Sequence, residues 1–456
     1  MRANLEFPLF INEILDAVGG HPTKNLKNTK ICAITTDTRD MYPGDLFIAL
    51  SGKNFDGEDF CDLARQNGCD YISARHPDGI LVKNTEDALL AITAYYRRKL
   101  QLKKVIAITG SVGKTTTKEL LYTIMRSSGK AHATSGNYNN YVGLAHTILT
   151  APKDTEYLIA EIGMNHNGEI GKCSRSITPD IAVITRIGTA HIGNLGTREM
   201  IAKAKLEITE GLNKKGALLV PYGEELLTKS GGETVSIVDM NANYCLNPIE
   251  FSNGKTAFVF AVNGDELLRA NALVMGDSNL RALSFSIACA IKSGIEAKDI
   301  KDRVSAISSD NFRQKYIKWN RRLIIDDSYN ASLESITSSL ELMRCFPGRR
   351  CAVLGDIHEL GSQAESIHFK IGSEAARLGV ERLFLHGTFA PFIKKGAVIS
   401  GIPENAIFLN RELSDIHTTV EAIKELTFPG DVILFKASNA CRFGDLINKL
   451  TSKEES

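Results

Sequence analysis

The segment TGSVGKTTTKE, Thr109 to Glu119, has the residue types and spacing that hold a polyphosphate. An apolar run, KVIAIT, leads straight into it and a helical stretch follows. A loop in that place aims several backbone N–H groups at one point, and the helix N-terminus adds the positive end of its dipole. Gly110 and Gly113 permit tight turns beside an anion. The cradle is therefore expected from Gly110, Ser111, Gly113, Lys114, Thr115 and Thr116. Lys114 would reach the β- and γ-phosphates, and Thr115 would offer its hydroxyl to Mg²⁺. The common pattern has glycine where Ile108 stands, so this loop is a shortened variant. Kinases, ATPases, GTPases and ligases share such loops. No NKxD-type base motif is evident, which argues against a G protein. The loop specifies phosphoryl chemistry without saying on what.

Other groups could serve that chemistry. Glu161 closes the apolar run YLIAE, and a carboxylate at the carboxyl end of a strand beside a phosphate loop is where a magnesium ligand belongs. A solvated strand-end glutamate explains it as well. His191 follows the run IAVIT, but a lone histidine is more often structural than a ligand. Lys205, in AKAKLEI, reads by itself as a surface lysine on a helix. Asp326 and Asp327 end another strand, where one acid is expected to cap a helix or close a turn. Arg313 precedes that strand and could clamp a phosphate. Taken singly, none of these decides between a site and an ordinary role.

The elements that must position them fall into three regions. Residues 1–102 mix short strands with helices, including strands in ICAITTDT and DLFIAL and a helix capped by Asn84. Residues 103–312 alternate buried-type strands (KVIAIT, YLIAEIG, IAVIT, GALLV) with helices, the pattern of a parallel sheet covered on its faces. Within them, 244–275 reads as a small antiparallel insert. Residues 313–456 repeat the alternation with LIIDD, CAVLGD, RLFLHG, AIFLN and DVILFKAS, a second doubly wound unit.

Composition narrows the partners. With 43% hydrophobic and 23% charged residues over 456 positions, two to four globular domains are expected. A net charge of +1 gives no broad field for nucleic acid or an anionic membrane. No apolar run is long enough to span a bilayer, and Glu6, Asn12 and Glu13 interrupt what a signal peptide would need. Nine scattered cysteines without a C-x-x-C pair suit reduced thiols, so a cytoplasmic chain is expected.

Together, and in this order, these segments resemble the Mur ligase family of bacterial cell-wall synthesis over nearly the whole chain. TTDTRDMYPGDLFIALSGKNFDGEDF, Thr35 to Phe60, is similar to that family's uridine-nucleotide-binding segment. TGSVGKTTTKE is the family's own form of the phosphate loop, which accounts for Ile108. NYNNYVG, EIGMNHNGEIG, AHIGNLG, AKAKLEI, IDDSYNAS, LGDIHELG and LFKAS follow as in the family. LGDIHELG points to the branch that adds D-alanyl-D-alanine, and the DNPR-type motif of the branch that adds the third amino acid is not visible.

The resemblance implies a three-domain α/β fold. A smaller N-terminal α/β domain would bind the UDP precursor, a central P-loop ATPase-like parallel sheet would bind ATP, and a C-terminal Rossmann-like domain would bind the incoming peptide. It implies an ATP-dependent ligase that joins D-alanyl-D-alanine to UDP-N-acetylmuramoyl-tripeptide through an acyl phosphate. That is the last cytoplasmic step of pentapeptide precursor assembly, and it serves cell shape, division and the cell cycle. A monomer is expected. Lys114 and Thr115 would serve the ATP phosphates and a first Mg²⁺. Glu161 and His191 would serve the metals, and Lys205 would be carbamylated to help hold a second. Arg313 and Asp327 would contact the nucleotide, and Asp37, Thr38 and Arg39 lie in the UDP-binding segment.

There are departures. In GDSNLRALS, Asn279 matches the family's adenine-holding asparagine, but Ser278 and Ala282 replace its usual neighbours. Ala437 and Asn439 stand where glycine and arginine are usual. Adenine selectivity and the peptide end of the site are where differences are expected. Rival readings are another Mur-type ligase, folylpolyglutamate synthase (which lacks a UDP-binding region) and a nucleotide-binding relative that has lost catalysis. Retention of Lys114, Glu161, His191 and Lys205 argues against the last.

Overall fold

The apolar runs become strands with little change, because each is long enough to cross a sheet and is punctuated by glycine or a helix-capping residue. The computed structural model describes residues 1–22, 27–52, 55–126, 128–308 and 311–452. Lys53 and Asn54, in the expected uridine-nucleotide segment, lie outside the described residues, as do 453–456.

Three sheets organise the chain. The first holds β1 (Arg2–Phe10), β2 (His21–Pro22), β3 (Lys30–Thr35), β4 (Leu46–Ile48), β5 (Asp70–Ser73) and β6 (Ile80–Leu81), in the order β1-β3-β4-β5-β6-β2. Its middle strands are parallel, and β1 pairs antiparallel with β3. β1 was not legible as a strand, since RANLEFPLF mixes charge with apolar residues and runs directly into the helix Ile11–Val18.

The second sheet holds β7 (Lys104–Thr109), β8 (Ala131–Ala133), β9 (Tyr157–Glu161), β10 (Ile181–Ile184), β11 (Ala217–Pro221), β12 (Glu233–Ile237), β13 (Tyr244–Ser252), β14 (Lys255–Val262) and β15 (Asp265–Ala272). Its order is β15-β14-β13-β12-β11-β10-β7-β9-β8. From β8 to β13 the neighbours are parallel. The expected antiparallel insert exists as β13 to β15, but it prolongs this sheet instead of standing apart. β7 lies between β9 and β10, so the chain leaves it first to one side and later to the other. Above the carboxyl ends of such strands a crevice opens, and ligands bind there.

The third sheet holds β16 (Lys315–Trp319), β17 (Arg322–Asp326), β18 (Arg350–Gly355), β19 (Arg382–His386), β20 (Ile407–Asn410) and β21 (Val432–Lys436), in the order β16-β17-β21-β18-β19-β20. All pairs are parallel except the edge hairpin of β16 with β17. The doubly wound reading of this region therefore holds, with one hairpin added at its edge. Helices cover the second and third sheets, and one core cluster runs through buried residues of all three. Among the described residues no helix is long and apolar enough to cross a membrane.

Local capping fixes several of the helices. Asn84, Asn140, Thr197 and Ser332 each accept a backbone N–H at a helix start. By contrast, the helix Lys114–Met125 has no side-chain cap. Its first N–H groups are left to an outside acceptor.

Candidate active site

The phosphate loop joins β7 to the helix Lys114–Met125. Gly113 adopts φ 87° at the turn into the helix. Gly110 is required for a different reason. The Thr185 hydroxyl, at the end of β10, donates to the Val112 carbonyl at 2.6 Å and so braces the loop from behind. A Cβ on Gly110, at φ 148°, would lie 1.9 Å from that hydroxyl oxygen. Gly110→Ala is expected to displace the loop and cost about 1–3 kcal/mol of backbone strain. Nucleotide affinity should fall more than thermal stability, and calorimetric titration with ADP beside a melting curve checks this.

Lys114 curls back, and its ammonium donates to the Gly110 carbonyl at 2.7 Å. Burial lowers its pKa, Arg313 adds repulsion, and Glu161 opposes both. A polyphosphate would favour the charged form of this lysine.

Glu161, at the end of β9, is 1% exposed and accepts from the Thr115 hydroxyl at 2.8 Å and from Asn139 Nδ2 at 2.9 Å. This places a carboxylate and a hydroxyl together beside the loop. Both are hard oxygen donors of the class that suits Mg²⁺, so this pair fits that ion. Arg313 Nη2 also donates to Thr115 Oγ1, at 2.5 Å, while its guanidinium stacks 4.2 Å from the Tyr329 ring centroid. Arg313 thus reaches the phosphate loop from the start of the third region.

Lys205 belongs to the helix Arg198–Leu206 and is only 2% exposed. Its side chain makes no hydrogen bond or ion pair among the described residues, although it lines the same cavity as Lys114 and Glu161. Burial first, then repulsion from Lys114, drives its pKa well below 10.5. His191 sits at φ 64°, and its Nδ1 is 2.7 Å from a Glu359 carboxylate oxygen. Burial holds its pKa down, aided by Lys114 and Lys205, while Glu359 works the other way. As a bare amine, Lys205 suits Mg²⁺ poorly. A carbamate on Lys205 would supply the missing oxygens.

The third sheet forms the opposite wall. Asp326 closes a turn by accepting from Ser328, as expected for one of the pair. Asp327 is buried and its carboxylate engages Lys436 Nζ at 2.6 Å and the Ser339 hydroxyl at 2.5 Å. Asn279 lines the cavity and donates to the Met275 carbonyl at 3.0 Å, with Ser278 beside it. Ala282 is buried within its helix and Ala437 packs below the sheet end, while Asn439 donates to the Tyr329 carbonyl at 3.2 Å.

The walls are latched together. Glu334, in the first turn of the helix Leu333–Met343, accepts from the Thr189 N–H at 2.8 Å and from its hydroxyl at 3.2 Å. Gly188 makes room, since a Cβ there would come within 2.7 Å of the Glu334 carboxyl carbon. The Glu359 carbonyl accepts from Gly193 at 3.0 Å, and Gln363 Nε2 donates to the Gly196 carbonyl at 3.2 Å. All three contacts land on 188–196, the segment that carries His191. Glu334→Ala removes two charge-assisted bonds worth about 1.5–3 kcal/mol together with their setting. It should lower kcat about tenfold or more and leave ADP affinity within about twofold, as steady-state kinetics and titration would show.

Between the walls lies a cavity of about 340 Å³. It gathers Ser111, Gly113, Lys114, Thr115, Thr116, Glu161, His191, Lys205, Asn279, Arg313 and Asp327, which the sequence spreads over more than two hundred positions. Asp37, Thr38 and Arg39 do not line it. They sit after β3 in the first sheet, where Arg39 pairs with Asp37 at 2.7 Å and holds its carboxyl well below the usual range. Sequence reasoning missed Thr185, Asn139, Lys436, Glu334 and Glu359 as parts of the site. Asn139, Glu359 and Lys436 left a trace only as members of the segments NYNNYVG, LGDIHELG and LFKAS, and Lys436 also as the lysine that ends an otherwise apolar strand, VILFK. The chemistry available is that of a polyphosphate held by a loop and helix end, with oxygen donors for a cation and a charged second wall that closes over it.

Comparison with known proteins gives three successive family matches. They are "Mur ligase family, catalytic domain" over 30–107, "Mur ligase middle domain" over 108–290 and "Mur ligase, glutamate ligase domain" over 312–439. The chain is similar to the UDP-N-acetylmuramoyl-tripeptide–D-alanyl-D-alanine ligase of Bacillus subtilis (strain 168), at 33% identity over 438 residues, covering 93% of this chain and 94% of that protein. The ligase of the same name from Synechocystis is 32% identical, covering 94% and 93%. Among solved structures, MurF from Acinetobacter baumannii matches with a TM-score of 0.89 at 28% identity, covering 98% of this chain and 99% of that one. MurF ligase from Thermotoga maritima, solved in complex with ADP, matches with a TM-score of 0.81 at 26% identity, covering 92% and 96%.

Proposed function

The chain belongs to the Mur ligase family, and from that premise we propose that it joins D-alanyl-D-alanine to UDP-N-acetylmuramoyl-tripeptide at the expense of ATP. It is an ATP-dependent, amide-bond-forming ligase of peptidoglycan synthesis. The observation that carries the reading is the cavity where the phosphate loop, Glu161 and Lys205 of the second sheet face Arg313, Asp327 and Lys436 of the third-sheet side.

The roles follow from position. The loop and Lys114 hold the phosphates and neutralise charge as the tripeptide carboxylate attacks the γ-phosphorus. ADP leaves and an acyl phosphate remains. The amine of D-alanyl-D-alanine then attacks the acyl carbon, phosphate departs, and an amide is left. Mg²⁺, when bound, supplies charge neutralisation at the phosphate oxygens. Thr115 and Glu161 would hold one ion, and His191 with carbamylated Lys205 would hold another. The latch through Glu334, Glu359 and Gln363 excludes water from the acyl phosphate. Asn279 would help to hold adenine, with Ser278 beside it in the cavity lining.

Residues 1–102 would bind the UDP precursor through the segment that carries Asp37, Thr38 and Arg39. Residues 103–312 would bind ATP, and 313–456 would present D-alanyl-D-alanine. The enzyme would act as a cytoplasmic monomer. The test is phosphate release from ATP with Mg²⁺ and both substrates, omitting each in turn. Release that needs both supports the reading. Release with a single amino acid and a shorter precursor moves the chain to a sister ligase, and ATP binding without turnover on any precursor makes it a binding relative.

A further inference from the structure

Lys118 stands at the end of the phosphate-loop motif and takes no part in the chemistry above. It is wholly buried, on the helix Lys114–Met125, one turn beyond Thr115. A lysine in that position is costly unless its ammonium is fully partnered. Here Nζ donates to the Thr134 carbonyl at 2.7 Å and to the Gly136 carbonyl at 3.4 Å, and pairs with Glu119 at 2.8 Å. An apolar side chain would fill the same space, so its use lies in what it grips.

It grips the segment that holds Glu161. Thr134 Oγ1 accepts from the Glu161 N–H at 3.0 Å. Five residues on, Asn139 donates to the Glu161 carboxylate at 2.9 Å, and its carbonyl accepts from the Gly163 N–H at 2.7 Å. The segment 134–139 therefore fixes the backbone of Glu161, its carboxylate and the turn after it. One helix thus supplies the Thr115 hydroxyl directly and, through Lys118, the scaffold of the carboxylate that meets it at 2.8 Å.

We propose that Lys118 is a positioning residue that sets the distance between Thr115 and Glu161, and so tunes cation affinity at the nucleotide site. The proposal rests on the reading that this pair holds a divalent cation beside the phosphates. Outer partners of metal ligands change affinity by roughly 10–100-fold when removed.

The test uses the full-length chain with ADP and Mn²⁺, following free Mn²⁺ by paramagnetic resonance. Lys118→Met is expected to weaken Mn²⁺ binding by roughly 10–100-fold. Thr134→Val cuts the next link and should act in the same direction. The double variant should be no weaker than the weaker single one, because both lie on one path. Affinity for the UDP precursor and for ADP without metal should stay within about twofold of wild type, which a general loss of packing would not allow. If Lys118→Met does not fold, Thr134→Val decides. Wild-type Mn²⁺ affinity in the folded variants, with loss in Glu161→Gln, overturns the positioning role alone. Wild-type affinity in Glu161→Gln as well overturns it together with the metal reading of that carboxylate.

Discussion

Lys114→Met will lower substrate-dependent phosphate release by roughly 10²–10³-fold, the usual loss when one preorganised donor to a developing negative charge is removed. Methionine keeps most of the stem and its packing, so the loop itself should stand. The ammonium is lost, and with it the group that now rests on the Gly110 carbonyl and whose pKa burial lowers against the pull of Glu161. That buried charge is worth most where negative charge grows and water is absent. ADP affinity should therefore fall less than kcat. Arginine should not rescue turnover, because a planar fork cannot replace a compact ammonium in a closed cradle. Single-turnover kinetics beside ADP titration separates the two effects. Turnover close to wild type would remove Lys114 from the mechanism.

The second large effect has opposite signs in two measurements. Lys205→Met should lower ligation about 100-fold or more, in line with the loss of a metal-side ligand, and at the same time raise thermal stability. The unmodified lysine is 2% exposed, has no hydrogen-bond or ion-pair partner among the described residues and is repelled by Lys114. Its pKa is depressed in the folded chain, so below 10.5 folding must drive off a proton or bury a charge. Methionine avoids that cost, which is about 1–3 kcal/mol for an unsatisfied buried polar group. The neutral amine is also the form that attacks carbon dioxide, making an N–C bond and releasing a proton to solvent. Ligation by the unaltered chain should fall when carbon dioxide is removed and recover with bicarbonate, and Lys205→Met should show neither response. A variant that is both less stable and fully active would contradict this account of the residue.

What could be seen in the sequence divides along physical lines. The phosphate loop was legible because its parts are local: strand, two glycines, lysine, threonine and helix follow one another without a gap. Glu161 was half legible, since a strand-end carboxylate is suggestive, but Asn139 and Thr115 that hold it come from other elements. Lys205 was not legible from its neighbours, which look like any exposed helix. Its meaning comes from tertiary burial and from Lys114, ninety-one positions earlier. The latch from Glu334 to Thr189 spans 145 residues and left no pattern at all. Most strands were legible as apolar runs. Several were not, β1 and β16 among them, because these edge strands mix charged with apolar residues, and their partners alone make them strands.

The most direct test supplies the tripeptide precursor with heavy oxygen in its terminal carboxylate, together with ATP, Mg²⁺ and D-alanyl-D-alanine. The expected result is a UDP-pentapeptide by mass and one heavy oxygen in each phosphate released, because the carboxylate oxygen that attacks phosphorus leaves with it. Phosphate free of label, or a product that lacks the dipeptide, would contradict it.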